Sequence, residues 1–187
     1  MFESTAGRLL VATPLLDDPN FDGAVVFVCL HDAAGAFGIV LNRAAEGQAA
    51  DLLPEWASLI SPPGVLHSGG PVERSSFIGV GRMDDGLTVE SPSEWWTPIR
   101  HGIGLVNLAA DVDQALALQN LRVFHGYTGW GAGQLDTEIG EEAWFVVDAR
   151  PEDVFTLNPG RLWNEVLGRQ RGRLAIYGTY PPDVQLN

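Results

Sequence analysis

The sequence predicts a single domain of mixed α/β class (α+β mixed), and three observations carry that reading. Runs rich in β-branched and aromatic residues fill the first third and recur as far as residue 147. Stretches with helical apolar spacing stand between them. The length, 187 residues, suits one hydrophobic core, and no repeat, linker or low-complexity block divides the chain, so residues 1–187 are read as one domain.

Taken in order, residues 8–13 form a short apolar strand closed by Pro14. Residues 24–30 (AVVFVCL) are too continuously apolar for an edge strand. Residues 35–42 follow after the short loop His31-Asp32-Ala33-Ala34, which predicts an antiparallel hairpin. Leu52, Leu53, Trp56, Leu59 and Ile60 recur at helical spacing until Ser61-Pro62-Pro63 stops them. Strands are expected at 65–67, 76–82, 87–89 and 101–106, with a loop of half-buried aromatics at Trp95-Trp96-Thr97-Pro98 and a short helix at 111–118. The last third reads as a strand at 121–127, a glycine-rich loop to Gly133, a helix near 135–142 and a strand at 143–147. Asn158-Pro159 opens a further helix with Leu162, Trp163, Val166 and Leu167 on its apolar face. Residues 173–180 are expected to add a strand, and 181–187 a tail.

Charge and composition exclude several functions. Hydrophobic residues make up 45% of the chain and charged residues 19%, the balance of a globular protein. The net charge is -13, and all 11 basic residues are arginines. A chain without lysine has no phosphate-loop lysine, Schiff base or pyridoxal attachment. Its acidity opposes direct nucleic-acid binding, and Arg169, Arg171 and Arg173 read as a solvated turn. No run is long and apolar enough to span a membrane, and the one cysteine, Cys29, fits a reduced cytoplasmic setting. Membrane binding is not expected.

The motif search is largely negative. Gly129, Gly131 and Gly133 follow G-x-G-x-G, not the dinucleotide-binding G-x-G-x-x-G, and the helix after them is short for a crossover. Cys29 sits inside an apolar strand, where a thiol is usually inert. Ser68 lacks the glycine of a nucleophile elbow, and adjacent His67 points to the opposite face. His31, His67, His101 and His125 have no metal-ligand spacing, so neither metal nor cofactor is expected. Asp17 to Asp22 reads as a turn set by Pro19, with Asp18 or Asn20 bonding nearby backbone N–H groups.

What remains is a set of loop residues at strand ends. Asp18, His31, Asn42, Arg43, Gly69, Gly70, Tyr127, Trp130, Gln134 and Glu138 are candidates for binding a ligand or partner. Either these loops converge on one cleft, or their polar groups cap turns and tie the loops together. An enzyme using His31 as general acid/base beside Asn42 and Arg43, with Asp18 or Glu138, is the alternative to a non-enzymatic binding protein.

Five ordered motifs resemble the YqgE/AlgH family (UPF0301, DUF179) of uncharacterised bacterial proteins. They are Gly7-Arg8-Leu9-Leu10-Val11-Ala12-Thr13-Pro14, Asp18-Pro19-Asn20-Phe21, His31 with residues 35–43 (GAFGIVLNR), Gly69-Gly70-Pro71-Val72, and Gly126-Tyr127 with residues 129–135 (GWGAGQL). Glu138 and Trp144 fall where that family also has glutamate and tryptophan, whereas Asp136 replaces a common glutamate and residues 80–106 match loosely. The resemblance implies a complex, partly barrel-like mixed sheet surrounded by helices in a bacterial cytosolic protein. One branch is named for a proposed role in regulating alginate production, which implies an indirect regulatory link and assigns no catalytic residue. The expected function is non-enzymatic binding of a small molecule or protein.

Overall fold

A computed structural model describes residues 3–84 and 91–179. Its centre is the hairpin of β2 (Val25–Asp32) and β3 (Gly35–Val40), flanked on one side by β1 (Arg8–Ala12). Along β1 and β2, side chains alternate between two faces because the strand period is two. Leu9, Val11, Val25, Phe27 and Cys29 enter one core, and Leu10, Ala12, Ala24, Val26 and Val28 enter a second core on the opposite face. That double burial is why residues 24–30 read as continuously apolar.

After β3, a strand that the sequence reading missed, β4 (Ala44–Gln48), leads into a single turn of helix, α1 (Ala49–Leu52), and a 3-10 turn at Pro54–Trp56. The helix expected over 52–60 is therefore broken. Pro54 lacks the N–H needed to continue α1 and starts the 3-10 turn instead. Next come β5 (Val65–Ser68), β6 (Val72–Met83), β7 (Trp96–Arg100) and β8 (Ile103–Val106). The expected aromatic loop at 95–98 is thus largely strand, since Trp96 to Arg100 pair with β8. The strand expected at 87–89 lies outside the described residues. A 3-10 turn, Val112–Ala115, replaces the short helix expected at 111–118, because Leu118 already opens β9 (Leu118–Gly131).

β9 corrects the glycine-rich loop. Thr128 to Gly131 pair with Gly38 to Gly35 of β3, so the strand runs through the glycines. The close backbone approach in this pair is on the β3 side: a Cβ on Gly35, at φ 143°, would lie 2.2 Å from the Trp130 carbonyl oxygen, whereas a Cβ on Gly129 or Gly131 would meet nothing nearer than 3.6 Å. The chain then forms α2 (Gln134–Gly140), β10 (Trp144–Asp148), α3 (Pro151–Val154), a 3-10 turn at Pro159–Arg161, α4 (Leu162–Gly168) and α5 (Arg173–Tyr177). The strand expected at 173–180 is helical where it is described. Leu174 and Tyr177, three residues apart, both pack on the first core, which helical spacing allows and strand alternation does not.

Sheet order is β10-β1-β2-β3-β9-β6-β8-β7, with β5 joining β9 in parallel and β4 joining β5. The mixed sheet curls into a half-barrel. Val154 of α3 and Leu162, Val166 and Leu167 of α4 close its first core, whereas Leu135 and Ile139 of α2 pack on the second.

Candidate functional site

Because β2 and β3 are antiparallel, the end of one lies beside the start of the other. His31 stands near the hairpin turn and Asn42 just beyond the far end of β3, where its side chain meets Val25 at the start of β2. At the usual strand rise these positions are about 20 Å apart along β2. The sequence-predicted site therefore divides into two groups.

The first surrounds the hairpin turn. His31 is buried, and its Nδ1 accepts the Thr5 backbone N–H at 3.2 Å, which puts the ring proton on Nε2, 3.7 Å from the Asp136 carboxylate. The Thr5 hydroxyl lies 2.8 Å from the same Nδ1. Beside it, the Trp130 and Trp144 indole N–H groups donate to the same Glu138 Oε2 at 2.8 and 2.9 Å. Gln134 donates to Glu138 Oε1 at 2.9 Å and accepts the Gly131 N–H at 3.0 Å. The helix α2, one turn long between Gln134 and Glu138, is what lets both reach the end of β9.

The second group lies at the other end. Asn42 accepts the Val25 N–H at 2.9 Å and donates to the Gly23 carbonyl at 2.8 Å, holding the chain where it enters β2. Arg43 donates to the Asp22 carbonyl at 3.1 Å. Asp18 accepts the Asn20 N–H at 2.8 Å, the turn expected of it. Gly69 bridges β9 and β3, donating to the His125 carbonyl and accepting from the Val40 N–H. Gly70, at φ 152°, lies so close to Tyr127 that a Cβ would sit 2.2 Å from the Tyr127 carbonyl oxygen. Asn20, Val40, Arg43, Ser68, Gly70, Pro71 and Arg74 enclose a small polar pocket of about 20 Å³. Tyr127 itself packs its ring on Phe37, 5.0 Å between centroids.

Two features escaped the sequence reading. One is a cleft of about 260 Å³ between β6, β7 and β8, walled by Phe37, Phe77, Trp95, Leu105 and Leu108, with Glu94 and Asn107 at its polar side. Its walls come from four separate stretches of chain, and the adjacent Trp95-Trp96 was the one visible signal. The other is a buried basic pair. Arg122 of β9 is 2% exposed and donates to the Val154 and Thr156 carbonyls at 3.0 and 2.7 Å; burial brings its pKa down to about 10. Burial, then the Arg122 charge, lower the neighbouring His67 to about 4. Its Nδ1 meets the Val65 carbonyl at 2.9 Å, which raises that value slightly, while the buried Nε2 has no hydrogen-bond partner. Burial pushes the Cys29 thiol well above its ordinary range, so it stays protonated. Among the described residues no cluster of three or more His, Cys, Asp or Glu could hold a metal ion, and no helix is long and apolar enough to cross a membrane.

A curled mixed sheet of this order, with glycines at its closest backbone approaches and side chains clamping its loops, defines a single-domain half-barrel protein. The AlgH-like family model (DUF179) matches residues 9–175, and the chain belongs to that family. A UPF0301 protein of Streptomyces avermitilis is 49% identical over 185 residues, covering 98% of this chain and 96% of that one. A UPF0301 protein of Thermobifida fusca is 42% identical over 197 residues, covering 98% of this chain and 96% of its own. Among solved structures, protein DIP2367 from Corynebacterium diphtheriae matches with a TM-score of 0.87 at 30% identity, covering 96% of this chain and 94% of that one. The solution structure of AlgH from Pseudomonas aeruginosa matches with a TM-score of 0.68 at 26% identity, covering 97% and 98%.

Proposed function

We propose that this chain is a non-enzymatic, cytoplasmic binding protein with an indirect regulatory role, which receives an apolar or aromatic group of a small molecule or partner protein in the Phe37–Phe77–Trp95 cleft. The observation that carries this reading is the makeup of that cleft: about 260 Å³ of largely aromatic and aliphatic wall, whose polar side chains are one carboxylate, one amide and one hydroxyl, those of Glu94, Asn107 and Thr97. Support also comes from His31, the strongest candidate for acid/base chemistry. Its side chain is 2% exposed and its Nδ1 is occupied by Thr5, about 20 Å from Asn42 and Arg43 along the strand. The single buried thiol suits a reducing compartment, and a net charge of -13 argues against direct binding to nucleic acid.

Tryptophan emission of the intact protein, titrated with a panel of aromatic and aliphatic metabolites and peptides, tests the proposal. Saturable quenching that disappears in Trp95→Leu and persists in His31→Ala is the expected result. Turnover of any substrate that is abolished in a folded His31→Ala protein overturns it.

A further inference from the structure

The polar pocket at the far end of the β2–β3 hairpin points to a second site, and we propose that it binds a phosphate group. Its construction begins with an irregularity in β6. The pairing passes from Val72 opposite Tyr127 to Phe77 opposite His125, so β6 carries extra residues that bulge away from β9. Glu73, inside the bulge, is held at φ 44°, a conformation that non-glycine residues rarely adopt. Gly126 supports it from below: a Cβ there would lie 2.6 Å from the Gly70 carbonyl oxygen, 2.9 Å from that of Val72 and 3.4 Å from the Arg74 Cα. The strained bulge thus fixes the backbone of Arg74, which lines the same pocket as Arg43, Ser68, Asn20 and Gly70.

Among the described residues some arginines face a carboxylate and others do not, and this pocket holds two of the second kind. Arg8, Arg161 and Arg169 each face a carboxylate, on Asp148, Glu165 and Asp153. Among the described residues neither Arg43 nor Arg74 forms an ion pair, although acidic residues outnumber basic ones by 24 to 11. Arg43 makes one contact, to the Asp22 carbonyl. The Arg74 guanidinium, the Ser68 hydroxyl and the Asn20 side-chain amide make no hydrogen bond among the described residues. Two guanidiniums with a hydroxyl and an amide supply the donors that a tetrahedral oxyanion requires. A volume of about 20 Å³ admits a group the size of a water molecule, so one phosphate oxygen enters and the rest of the anion stays at the mouth beside the exposed Arg74.

Amide chemical-shift titration of the full chain with inorganic phosphate, at constant ionic strength, tests the site. Saturable shifts at Asn20, Ser68, Gly70 and Arg74 are expected, with binding weakened roughly tenfold or more in Arg43→Gln and in Arg74→Gln. Acetate and sulfate run in parallel separate phosphate recognition from general attraction of anions. The proposal is overturned if the phosphate shifts stay linear, if acetate matches phosphate, or if the Arg43→Gln/Arg74→Gln double variant, melting like the wild type, binds as well as it does.

Discussion

Trp130 and Glu138 join the last strand pair of the hairpin region to helix α2: the indole N–H donates to the carboxylate at 2.8 Å, and Trp144 donates to the same oxygen at 2.9 Å. Both indoles are buried, and their rings meet edge to face with centroids 6.2 Å apart. Removing the shared acceptor leaves two buried N–H donors unpaired, so Glu138→Ala is expected to cost about 2–4 kcal/mol. Glu138→Gln keeps one oxygen for the indoles and is expected to cost about 1 kcal/mol. Urea unfolding of the two variants measures the difference, and equal losses would show that the carboxylate's charge, not its acceptor oxygen, matters.

Glycines of the β3–β9 pair separate a close backbone approach from open space by their tolerance of substitution. Gly35→Ala forces a methyl to within 2.2 Å of the Trp130 carbonyl oxygen at a φ of 143°, and a loss above about 3 kcal/mol is expected. Gly129 sits in β9 with ordinary φ, and the nearest atom to its added Cβ, on the Tyr127 ring, is 3.6 Å away. Gly129→Ala is therefore expected to be within about 0.5 kcal/mol of wild type. Thermal melting of both variants checks the contrast; equal melting temperatures would contradict the β3–β9 register.

How much of this was legible follows from where the information lies. Residues 24–30 announced a doubly buried strand because both faces of β2 are covered, a property written in seven consecutive residues. The helix α4 was likewise visible in Leu162, Val166 and Leu167 at helical spacing. Residues 128–131 were misread as loop because glycine composition marks a loop more often than a strand, and the strand that pairs with them, β3, is far away in sequence. The site was read less well than the fold for the same reason. His31 and Asn42 were both recognised as ending strands, but an antiparallel pair sends such ends apart. The aromatic cleft needs Phe37, Phe77 and Trp95 brought together by the curl of the sheet, which no local pattern records.

Buried His67 makes stability fall with acid over a defined range. Folding lowers its pKa from 6.5 to about 4, so the folded state favours the neutral ring. Its contribution is fully present above pH 6.5 and is lost as pH falls toward 4, because the unfolded chain takes up the proton first. By pH 5 the loss is about 2 kcal/mol. His67→Phe is expected to flatten the difference in unfolding free energy between pH 7 and pH 5 by that amount. Arg122→Met is expected to raise the His67 pKa, since the guanidinium charge opposes protonation, though its larger effect is to strip the Val154 and Thr156 carbonyls of their donor. Histidine ring resonances followed by pH titration measure the shift, and an unchanged His67 titration in Arg122→Met would remove the arginine from the account.

Trp95 and Trp96 are adjacent in sequence and opposite in consequence. Trp96 is 1% exposed and packs with Trp56, Met83 and Leu118, its indole lying so close to Gly104 that a Cβ there would be 2.6 Å from the ring. Trp96→Leu empties part of that core and is expected to cost about 2–4 kcal/mol. Trp95, half-buried, tilts against Trp96 with centroids 5.6 Å apart and lines the cleft. Because a half-buried ring gives up far less contact, Trp95→Leu is expected to cost about 1 kcal/mol while removing the emission that reports on the cleft. Paired unfolding and quenching measurements separate the roles: a Trp95→Leu protein as unstable as Trp96→Leu would make Trp95 a core residue and leave the cleft without its wall.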